Sequence, residues 1–250
     1  MILELQFFSI KTPLFKPPKF DIYPVLDECV TELKDGDILF ITTKILSIHQ
    51  GNCLPIEKHN KDDLSKECAS HFTERDVTAA YPVLLTITQG CLMLSAGIDE
   101  SNANGYFILW PTNTGKLLME IRTFLMEKFN IKHLGVVATD SKCNPLQLGV
   151  SGMVVACCGF EPIKTYIGHK DLFDRPFITT NANIAQSLSA TAVFVMGEGT
   201  EQTPMAIYRN KNLKNKINYT NSITTEKSLC PLENDIFAPI LQPFFKKKST

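Results

Sequence analysis

Three acidic clusters in the sequence each follow an apolar segment that we predict to be part of the core. Asp99 and Glu100 belong to the stretch GIDESNANG. Asp140 and Ser141 end the segment HLGVVATDS, and Glu198 follows VFVMG. Carboxylates at the ends of buried elements can meet across a sheet, and their hard oxygen atoms suit Mg²⁺ or Mn²⁺ beside a phosphate. The pattern indicates a metal-phosphate site, although each cluster taken alone is also typical of a solvent-facing turn or cap.

The sequence contains no glycine-rich phosphate motif of the common kinds, since neither G-x-x-x-x-G-K-[ST] nor G-x-G-x-x-G occurs. GEGTEQTP, residues 197–204, contains glycine but is acidic, so it suits a phosphate only together with a metal ion. Thr42, Thr43 and Lys44 follow a predicted strand and could offer hydroxyl groups and a cation to a nucleotide phosphate. An ordinary strand terminus is the alternative interpretation of that stretch.

Apolar spacing predicts the elements that must position these groups. We expect a strand at residues 2–10, and DGDILFITTKILSI predicts a buried strand whose polar end begins at Thr42. Helices are predicted at residues 62–72 and 115–130, and a third, capped by an asparagine, in NANIAQSLSATAVFVMGEG. HLGVVATD, GMVVACCGF and MAIYR read as strands, whereas residues 210–226 have the composition of a loop. Strands and helices mix without strict βα alternation, which predicts an α/β (α+β) fold with a mixed sheet.

Two of the predicted helices have an apolar face at helical spacing. In the helix at 115–130 the predicted buried face consists of Leu117, Leu118, Ile121, Leu125 and Phe129. In the helix that follows NAN it consists of Ile184, Leu188, Thr191 and Val195.

The composition narrows the class of partner. A hydrophobic content of 44% with 20% charged residues is typical of a globular protein. The net charge of −1 provides no global attraction to nucleic acid or to an anionic membrane, so we expect neither as a partner. MILELQFF lacks the features of a signal peptide and no apolar run is long enough to span a membrane, which predicts a cytoplasmic protein. The eight cysteines lack C-x-x-C spacing, so we expect reduced thiols.

The same stretches, in the same order, resemble the coenzyme F420-0:L-glutamate ligase family, the F420-0 γ-glutamyl ligases. The resemblance runs through DGDILFITTKILSIHQG, SAGIDESNANGYFILWP, GVVATDS, YIGHKDLFDR and VMGEGTEQTP, and it covers residues 11 to about 209. GIDESN followed by a tyrosine and L-W-P is the most specific of these signals. The resemblance implies a homodimer with an intertwined α/β fold, and we expect residues 1–209 to form the catalytic domain. Residues 210–250 match poorly, but the apolar stretch 229–245 predicts a C-terminal extension that packs on that domain.

The resemblance also implies roles for individual positions. Asp99, Asp140 and Glu198 would be catalytic and, with Ser141, would bind Mg²⁺ or Mn²⁺; K⁺ is a further ion used in such sites. The implied nucleotide-binding positions are Lys11, Thr12, Pro13, Leu14, Thr43, Lys44, Asn102, Met196, Gly197, Gly199, Thr200, Glu201, Gln202 and Thr203.

The implied reaction joins L-glutamate, through its amine, to a carboxylate of a coenzyme precursor at the expense of GTP or ATP. The γ-phosphoryl group would pass to the acceptor carboxylate, and the amine would attack the resulting acyl phosphate, so no covalent protein nucleophile is needed. The acceptor is coenzyme F420-0 or a folate-type pterin, because GEGTEQTP is similar to a branch of the family associated with folate metabolism.

The sequence also departs from the family pattern. Where many members have an arginine-rich segment, residues 144–149 read NPLQLG, and Ile48 replaces a lysine. Both changes remove positive charge that could contact a phosphate. They keep open a nucleotide-binding regulatory protein without ligase activity. A metal-dependent phosphohydrolase is the other alternative, because acidic clusters serve that chemistry as well.

Overall fold

The computed structural model describes residues 5–210 and 217–247, apart from the side chains of residues 244 and 247. The chain forms two compact units. Unit 1 comprises Met1–Pro13, Tyr23–Thr42 and Asn113–Ser228, and unit 2 comprises Leu14–Ile22, Thr43–Thr112 and Leu229–Thr250. The chain therefore passes repeatedly from one unit to the other. Our division of the sequence into residues 1–209 and 210–250 remains a prediction.

The described strands and helices have these bounds. The strands are β1 (Leu5–Ile10), β2 (Asp37–Thr42), β3 (Cys53–Pro55), β4 (His71–Phe72), β5 (Leu85–Thr88), β6 (Cys91–Leu94), β7 (Tyr106–Ile108), β8 (Leu134–Cys143), β9 (Val150–Phe160), β10 (Ile163–Thr165), β11 (Asn181–Asn183), β12 (Met205–Asn210), β13 (Tyr219–Ile223) and β14 (Lys246–Lys247). The α-helices are α1 (Ile22–Cys29), α2 (Thr43–Gln50), α3 (Lys61–Cys68), α4 (Thr114–Phe129), α5 (Ile184–Met196) and α6 (Ala238–Leu241).

Unit 1 contains a six-stranded sheet in the order β1-β12-β2-β8-β9-β13. β2 and β8 are parallel, with Asp37 opposite Leu134, and the other neighbours are antiparallel. This arrangement confirms the predicted mixed sheet. The first five residues of β2 and the first six of β8 are buried, which explains why both segments read as continuous apolar runs rather than as alternating ones.

Helices α4 and α5 pack on this sheet. α4 contacts β8 and β9, and α5 contacts β9 and β12. α4 confirms the predicted helix within one residue at each end, and four of its five predicted face residues are buried, Phe129 being partly exposed. Asn183 caps α5 by accepting a hydrogen bond from the backbone N–H of Gln186 at 2.9 Å, as the sequence suggested.

The predicted buried face of α5 is only partly right, since Ile184 and Leu188 are partly buried and pack against the core, but no residue of that face is fully buried. The buried residues are small or lie on another face (Ala185, Ser189, Ala192, Val193 and Met196), whereas Thr191 is exposed. The reason is the close approach of α5 to β9. A Cβ atom on Gly152 would lie 2.5 Å from the backbone oxygen of Ser189, so the contact favours small side chains over the larger ones that periodicity selected.

Unit 2 contains a four-stranded sheet in the order β14-β4-β5-β6 and the two-stranded pair β3-β7. Its described apolar cluster consists of Leu64, Ala96, Ile98 and Phe107, with Leu54 and Leu109 packed against it. α3 contributes Leu64, and β7 contributes Phe107. The cluster therefore holds the two ends of the acidic stretch 97–105 on a buried base.

Several predicted element ends need correction. β2 ends at Thr42, where its polar end was predicted to begin, and the following TKILSI forms α2 instead of continuing the strand. The helix predicted to residue 72 ends at Cys68. His71 and Phe72 pair with β5, so a tertiary partner overrides the local helical pattern. Within 210–226, β13 joins the edge of the large sheet, so the predicted loop is wrong there. Residues 211–216 and the start of the strand predicted at 2–10 lie outside the described residues.

In the described part of the chain, no helix combines the length and the apolar character needed to cross a membrane.

Candidate functional site

The stretch GIDESNANG forms a closed loop in unit 2. The backbone N–H and C=O of Asp99 both bond to Ile108, at 3.0 and 2.8 Å, and this bridge closes the base of the loop. Asn102 and Asn104 have φ of +53° and +48°, a left-handed conformation that asparagine tolerates better than most residues. Ala103 is buried. The loop therefore has a fixed conformation, closed at its base by the bridge between Asp99 and Ile108.

Asp99 is held at both carboxylate oxygens. Its Oδ1 accepts hydrogen bonds from the backbone N–H and from the hydroxyl of Ser101, each at 2.8 Å. Its Oδ2 lies 2.6 Å from Nζ of Lys44, the second residue of α2. Lys44 Nζ also donates to the backbone oxygen of Ser101 at 3.1 Å. Lys44 thus ties the start of α2 to the loop.

These contacts set the charge of Asp99. Partial burial raises the pKa of its carboxyl group, but Lys44 and the hydrogen bonds from Ser101 outweigh that effect, and the pKa lies below its usual value. Asp99 is therefore fully ionised at neutral pH, the state that a metal ligand requires.

The neighbouring acidic residue has a partner of its own. Glu100 Oε1 lies 3.2 Å from Nζ of Lys61, the first residue of α3. The two carboxylates of the loop are thus paired with different lysines from different helices.

Unit 1 holds the second group of predicted site residues. Asp140 and Ser141 lie in the second half of β8, and Glu198 follows the end of α5. The hydroxyl of Ser141 is 2.8 Å from both carboxylate oxygens of Glu198, and the backbone N–H of Ser141 donates to Oδ1 of Asp140 at 2.8 Å. Two acidic clusters that are far apart in the sequence therefore meet at one serine.

The loop after α5 is also anchored within unit 1. Gly197 has a φ of +82°, which turns the chain out of the helix, and Glu201 Oε2 accepts a hydrogen bond from the N–H of Gly199 at 2.8 Å. The N–H of Thr12 donates to the backbone oxygen of Gln202 at 3.0 Å. Thr203 donates from its hydroxyl to the backbone oxygen of Met196. Of the predicted nucleotide segment 11–14, the part in unit 1 is thereby a neighbour of the predicted segment 196–203.

The remaining predicted positions differ in exposure. Lys11 and Pro13 are exposed in unit 1, and Leu14 is exposed in unit 2. Thr43, in unit 2, is buried at the start of α2 and presents little surface to a ligand. Unit 2 also carries Asn102. The structure therefore brings together the unit 1 positions 12, 196–203 and 140–141, and in unit 2 the positions 44 and 99.

Comparison with known protein families shows to which family the chain belongs. The F420-0:Gamma-glutamyl ligase family matches residues 9–210, most of the chain. The chain belongs to this family. The match includes every site residue that the sequence predicted, and it ends at the last residue of β12, so the C-terminal residues lie beyond it.

Several curated relatives support the assignment of the chain to this γ-glutamyl ligase family. The chain is 29% identical to the coenzyme F420:L-glutamate ligase of Methanosarcina acetivorans over 80% of the chain and 83% of the relative. The enzyme of the same name from Methanococcus maripaludis is 31% identical over 71% of the chain and 77% of the relative. That of Archaeoglobus fulgidus is 28% identical over 72% and 78%.

The donor atoms of the predicted metal ligands fit a γ-glutamyl ligase that uses a hard divalent cation. Asp99, Asp140, Ser141 and Glu198 offer carboxylate and hydroxyl oxygens, and such oxygens suit Mg²⁺ and Mn²⁺. Across residues 5–210 and 217–247, no group of three or more His, Cys, Asp or Glu side chains is gathered closely enough to hold a metal ion. The metal assignment therefore remains a prediction.

Sequence reasoning missed the part played by Ser101. Ser101 makes two hydrogen bonds to Asp99 and accepts two from Lys44, yet it was not among the predicted site positions. The signal was present as D-x-S, since an aspartate commonly bonds the backbone N–H two residues later. The pairing of Lys44 with Asp99 has no such local signal.

Proposed function

We propose that the protein is a metal- and nucleotide-dependent γ-glutamyl ligase that joins L-glutamate by an amide bond to a carboxylate of a coenzyme precursor. The family match over residues 9–210 supports the ligase chemistry. The structural observation that best supports the proposal is the 2.8 Å contact between Ser141 and Glu198. It joins two oxygen-donor clusters, distant in the sequence, that the family resemblance assigns to the same metal site.

The proposed roles follow from the chemistry of the side chains. Asp99, Asp140, Ser141 and Glu198 would hold Mg²⁺ or Mn²⁺, with K⁺ as a further ion. When bound, such an ion neutralises charge on a transferring phosphoryl group. The hydroxyl of Ser141 donates to the carboxylate of Glu198 and would orient it. The loop 196–203, which is anchored to Thr12, would contact the nucleotide.

The reaction that we propose uses GTP or ATP to activate the acceptor. The γ-phosphoryl group passes to the acceptor carboxylate, with release of the nucleoside diphosphate. The amine of L-glutamate then attacks the acyl phosphate, and inorganic phosphate leaves as the amide forms. This sequence needs positioning and charge neutralisation rather than a protein nucleophile.

The proposed acceptor is coenzyme F420-0. The relatives compared above are named coenzyme F420:L-glutamate ligases, which favours the deazaflavin acceptor. A folate-type pterin is the second candidate, because the loop GEGTEQTP is similar to that of the folate-associated branch. We further propose a cytoplasmic homodimer, whose subunit number light scattering of the purified protein would measure.

An end-point assay by mass spectrometry tests the function. The purified chain is incubated with L-glutamate, Mg²⁺ or Mn²⁺, and GTP or ATP, with F420-0, a folate monoglutamate or dihydropteroate in parallel tubes. We expect one acceptor to gain the mass of a glutamyl group, and Glu198→Gln to abolish the gain. The matched control is Glu226→Gln, which removes the charge of an exposed glutamate outside the predicted site and should retain activity.

The assay also separates the alternatives. Phosphate release without consumption of glutamate would indicate a phosphohydrolase. Nucleotide binding without a glutamyl increment in any tube would indicate a regulatory protein. Residues 144–149, NPLQLG, would then account for the loss of activity through missing positive charge.

A further inference from the structure

Lys44 makes several polar contacts with the acidic loop of unit 2, residues 97–105. Its Nζ lies 2.6 Å from Oδ2 of Asp99, 3.1 Å from the backbone oxygen of Ser101 and 3.3 Å from its hydroxyl. All three acceptors belong to the loop, and the side chain of Lys44 is only 29% exposed. The ammonium group therefore has a fixed place on Asp99.

This place is one that a metal ion would also need. Oδ1 of Asp99 already accepts two hydrogen bonds from Ser101. An arriving cation would therefore bind Oδ2, the oxygen that Lys44 contacts. An ammonium group and a divalent cation repel each other strongly at ligand distances. The ammonium group of Lys44 and a divalent cation therefore compete for Oδ2 of Asp99.

We propose that Lys44 is the resident counter-ion of Asp99, which a divalent cation must displace, and that the displaced ammonium group then serves the nucleotide phosphate. This inference rests on the proposed function, in which Asp99 is a metal ligand. Lys44 stabilises the loop in the absence of metal, and it gives up Asp99 when the cation arrives. It is therefore a positioning residue that couples cation binding to nucleotide binding.

The coupling predicts effects of opposite sign. Removing the charge of Lys44 takes away a competitor for Asp99, so the affinity for the divalent cation rises. The same change removes a cation from the phosphate, so the affinity for the nucleotide falls. A lysine that served only to hold the loop in shape would weaken both when it is removed.

Lys61 provides a matched control. It pairs with Glu100, the neighbour of Asp99, at 3.2 Å, and its side chain is 28% exposed against 29% for Lys44. Lys61→Met thus removes the same charge from the same loop, at a carboxylate that is not a predicted ligand. Lys44→Arg keeps the positive charge but changes the size of the side chain, so it tests whether the fit of the side chain, rather than its charge, matters.

The experiment measures Mn²⁺ binding without nucleotide, from the electron paramagnetic resonance signal of free Mn²⁺, for the wild type, Lys44→Met, Lys61→Met, Lys44→Arg and Asp99→Asn. We expect Lys44→Met to bind Mn²⁺ about three- to tenfold more tightly, by the Coulomb repulsion removed. Lys61→Met and Lys44→Arg should bind as the wild type does, and Asp99→Asn more weakly. A non-hydrolysable GTP analogue, at saturating Mn²⁺, should bind Lys44→Met more weakly than the wild type.

Each other outcome has a separate meaning. Equal Mn²⁺ affinities for Lys44→Met and Lys61→Met, with Asp99→Asn still weaker, would overturn the counter-ion role and leave the metal assignment intact. Weaker binding of both Mn²⁺ and nucleotide by Lys44→Met, with an unchanged thermal midpoint, would also overturn it. Wild-type binding by Asp99→Asn would overturn the assignment of Asp99 as a ligand, and with it the counter-ion role.

Discussion

The indole ring of Trp110 packs directly against the Cα atom of Gly97. A Cβ atom on Gly97 would lie 2.5 Å from Cε2 and 2.8 Å from Cδ1 of Trp110, and Trp110 is buried. Gly97 also has a φ of +73°, in the left-handed region. Gly97 opens the loop that carries Asp99, so this close approach sets where the loop leaves its buried base.

The contact predicts that Gly97→Ala destabilises the protein. We expect a loss of about 2 to 4 kcal/mol in the free energy of unfolding, from overpacking against Trp110 combined with backbone strain. Gly105→Ala is the control, because Gly105 has a φ of +83° but no heavy atom within 4 Å of a new Cβ. Its loss should be only about 1 kcal/mol, from strain alone. Urea unfolding measures both, and equal losses would show that Trp110 yields to the methyl group.

The buried ion pair of unit 1 gives a second prediction. Arg209 donates to Asp37 from Nη2 at 2.7 Å and from Nε at 2.9 Å, and the Asp37 side chain is 1% exposed. Arg209→Met should cost about 3 to 5 kcal/mol of unfolding free energy, because it leaves a buried carboxylate without its partner. Glu32→Gln removes the other, exposed partner of Arg209 and should cost less than about 1 kcal/mol.

Denaturant unfolding of these variants and of the double variant Arg209→Met with Asp37→Leu checks the explanation. The double variant should recover much of the stability, because no charge is then left buried. If it is no more stable than Arg209→Met, the lost packing of Arg209 on the ring of Phe8, 5.5 Å away, accounts for the effect instead.

Asp35 and His133 predict a pH dependence. Partial burial raises the pKa of Asp35, but hydrogen bonds from the ring and backbone N–H of His133 and from the N–H of Lys132 outweigh it, so the pKa lies below its usual value. A depressed carboxyl pKa stabilises the fold above the unfolded-state pKa, about 3.9, and the stabilisation is lost as the pH falls through the folded-state pKa.

We therefore expect Asp35→Asn to lower the unfolding free energy at neutral pH by about 0.5 to 1 kcal/mol, since the group is partly exposed. The difference from the wild type should shrink below about pH 4. Urea unfolding of both proteins between neutral pH and about pH 3 measures it. A difference that stays constant over this range would contradict the assigned role of the carboxylate charge.

Ser141 predicts an effect on activity. Ser141→Ala removes the hydroxyl that donates to Glu198 and should lower kcat/KM for the ligase reaction by about ten- to a hundredfold, as loss of a group that orients a ligand typically does. Ser151→Ala, on the neighbouring strand, removes a hydroxyl bonded to Asn144 and should leave kcat/KM unchanged. Steady-state assays, with the acceptor that the mass-spectrometric assay identifies, measure kcat/KM for both variants. Equal rates for the two variants would remove Ser141 from the site.

The local elements could be predicted where periodicity and burial agree. α4 follows its apolar face almost to the residue, and β2 and β12 are short β-branched or apolar runs between polar ends. The prediction failed where a distant partner decides the conformation. β13 reads as a loop because its residues are exposed or only partly buried at a sheet edge, and His71 and Phe72 are extended because β5 pairs with them.

The residue types of the candidate site could also be predicted from the sequence, because acidic and hydroxyl residues at the ends of apolar elements indicate oxygen ligands for a metal ion. The sequence named Asp99, Asp140, Ser141 and Glu198 on that basis, with the family resemblance supplying their roles. It could not indicate which donors meet.

The sequence by itself determined the composition of the fold, the main helices and strands, and the family. Only the tertiary structure decided that Lys44 pairs with Asp99, that Ser141 meets Glu198, and that α5 buries its small residues against Gly152. The physical reason is that these contacts join residues that are far apart in the sequence. Periodicity reports how each residue relates to its near neighbours, whereas these pairings depend on how separate segments pack, which no local pattern encodes.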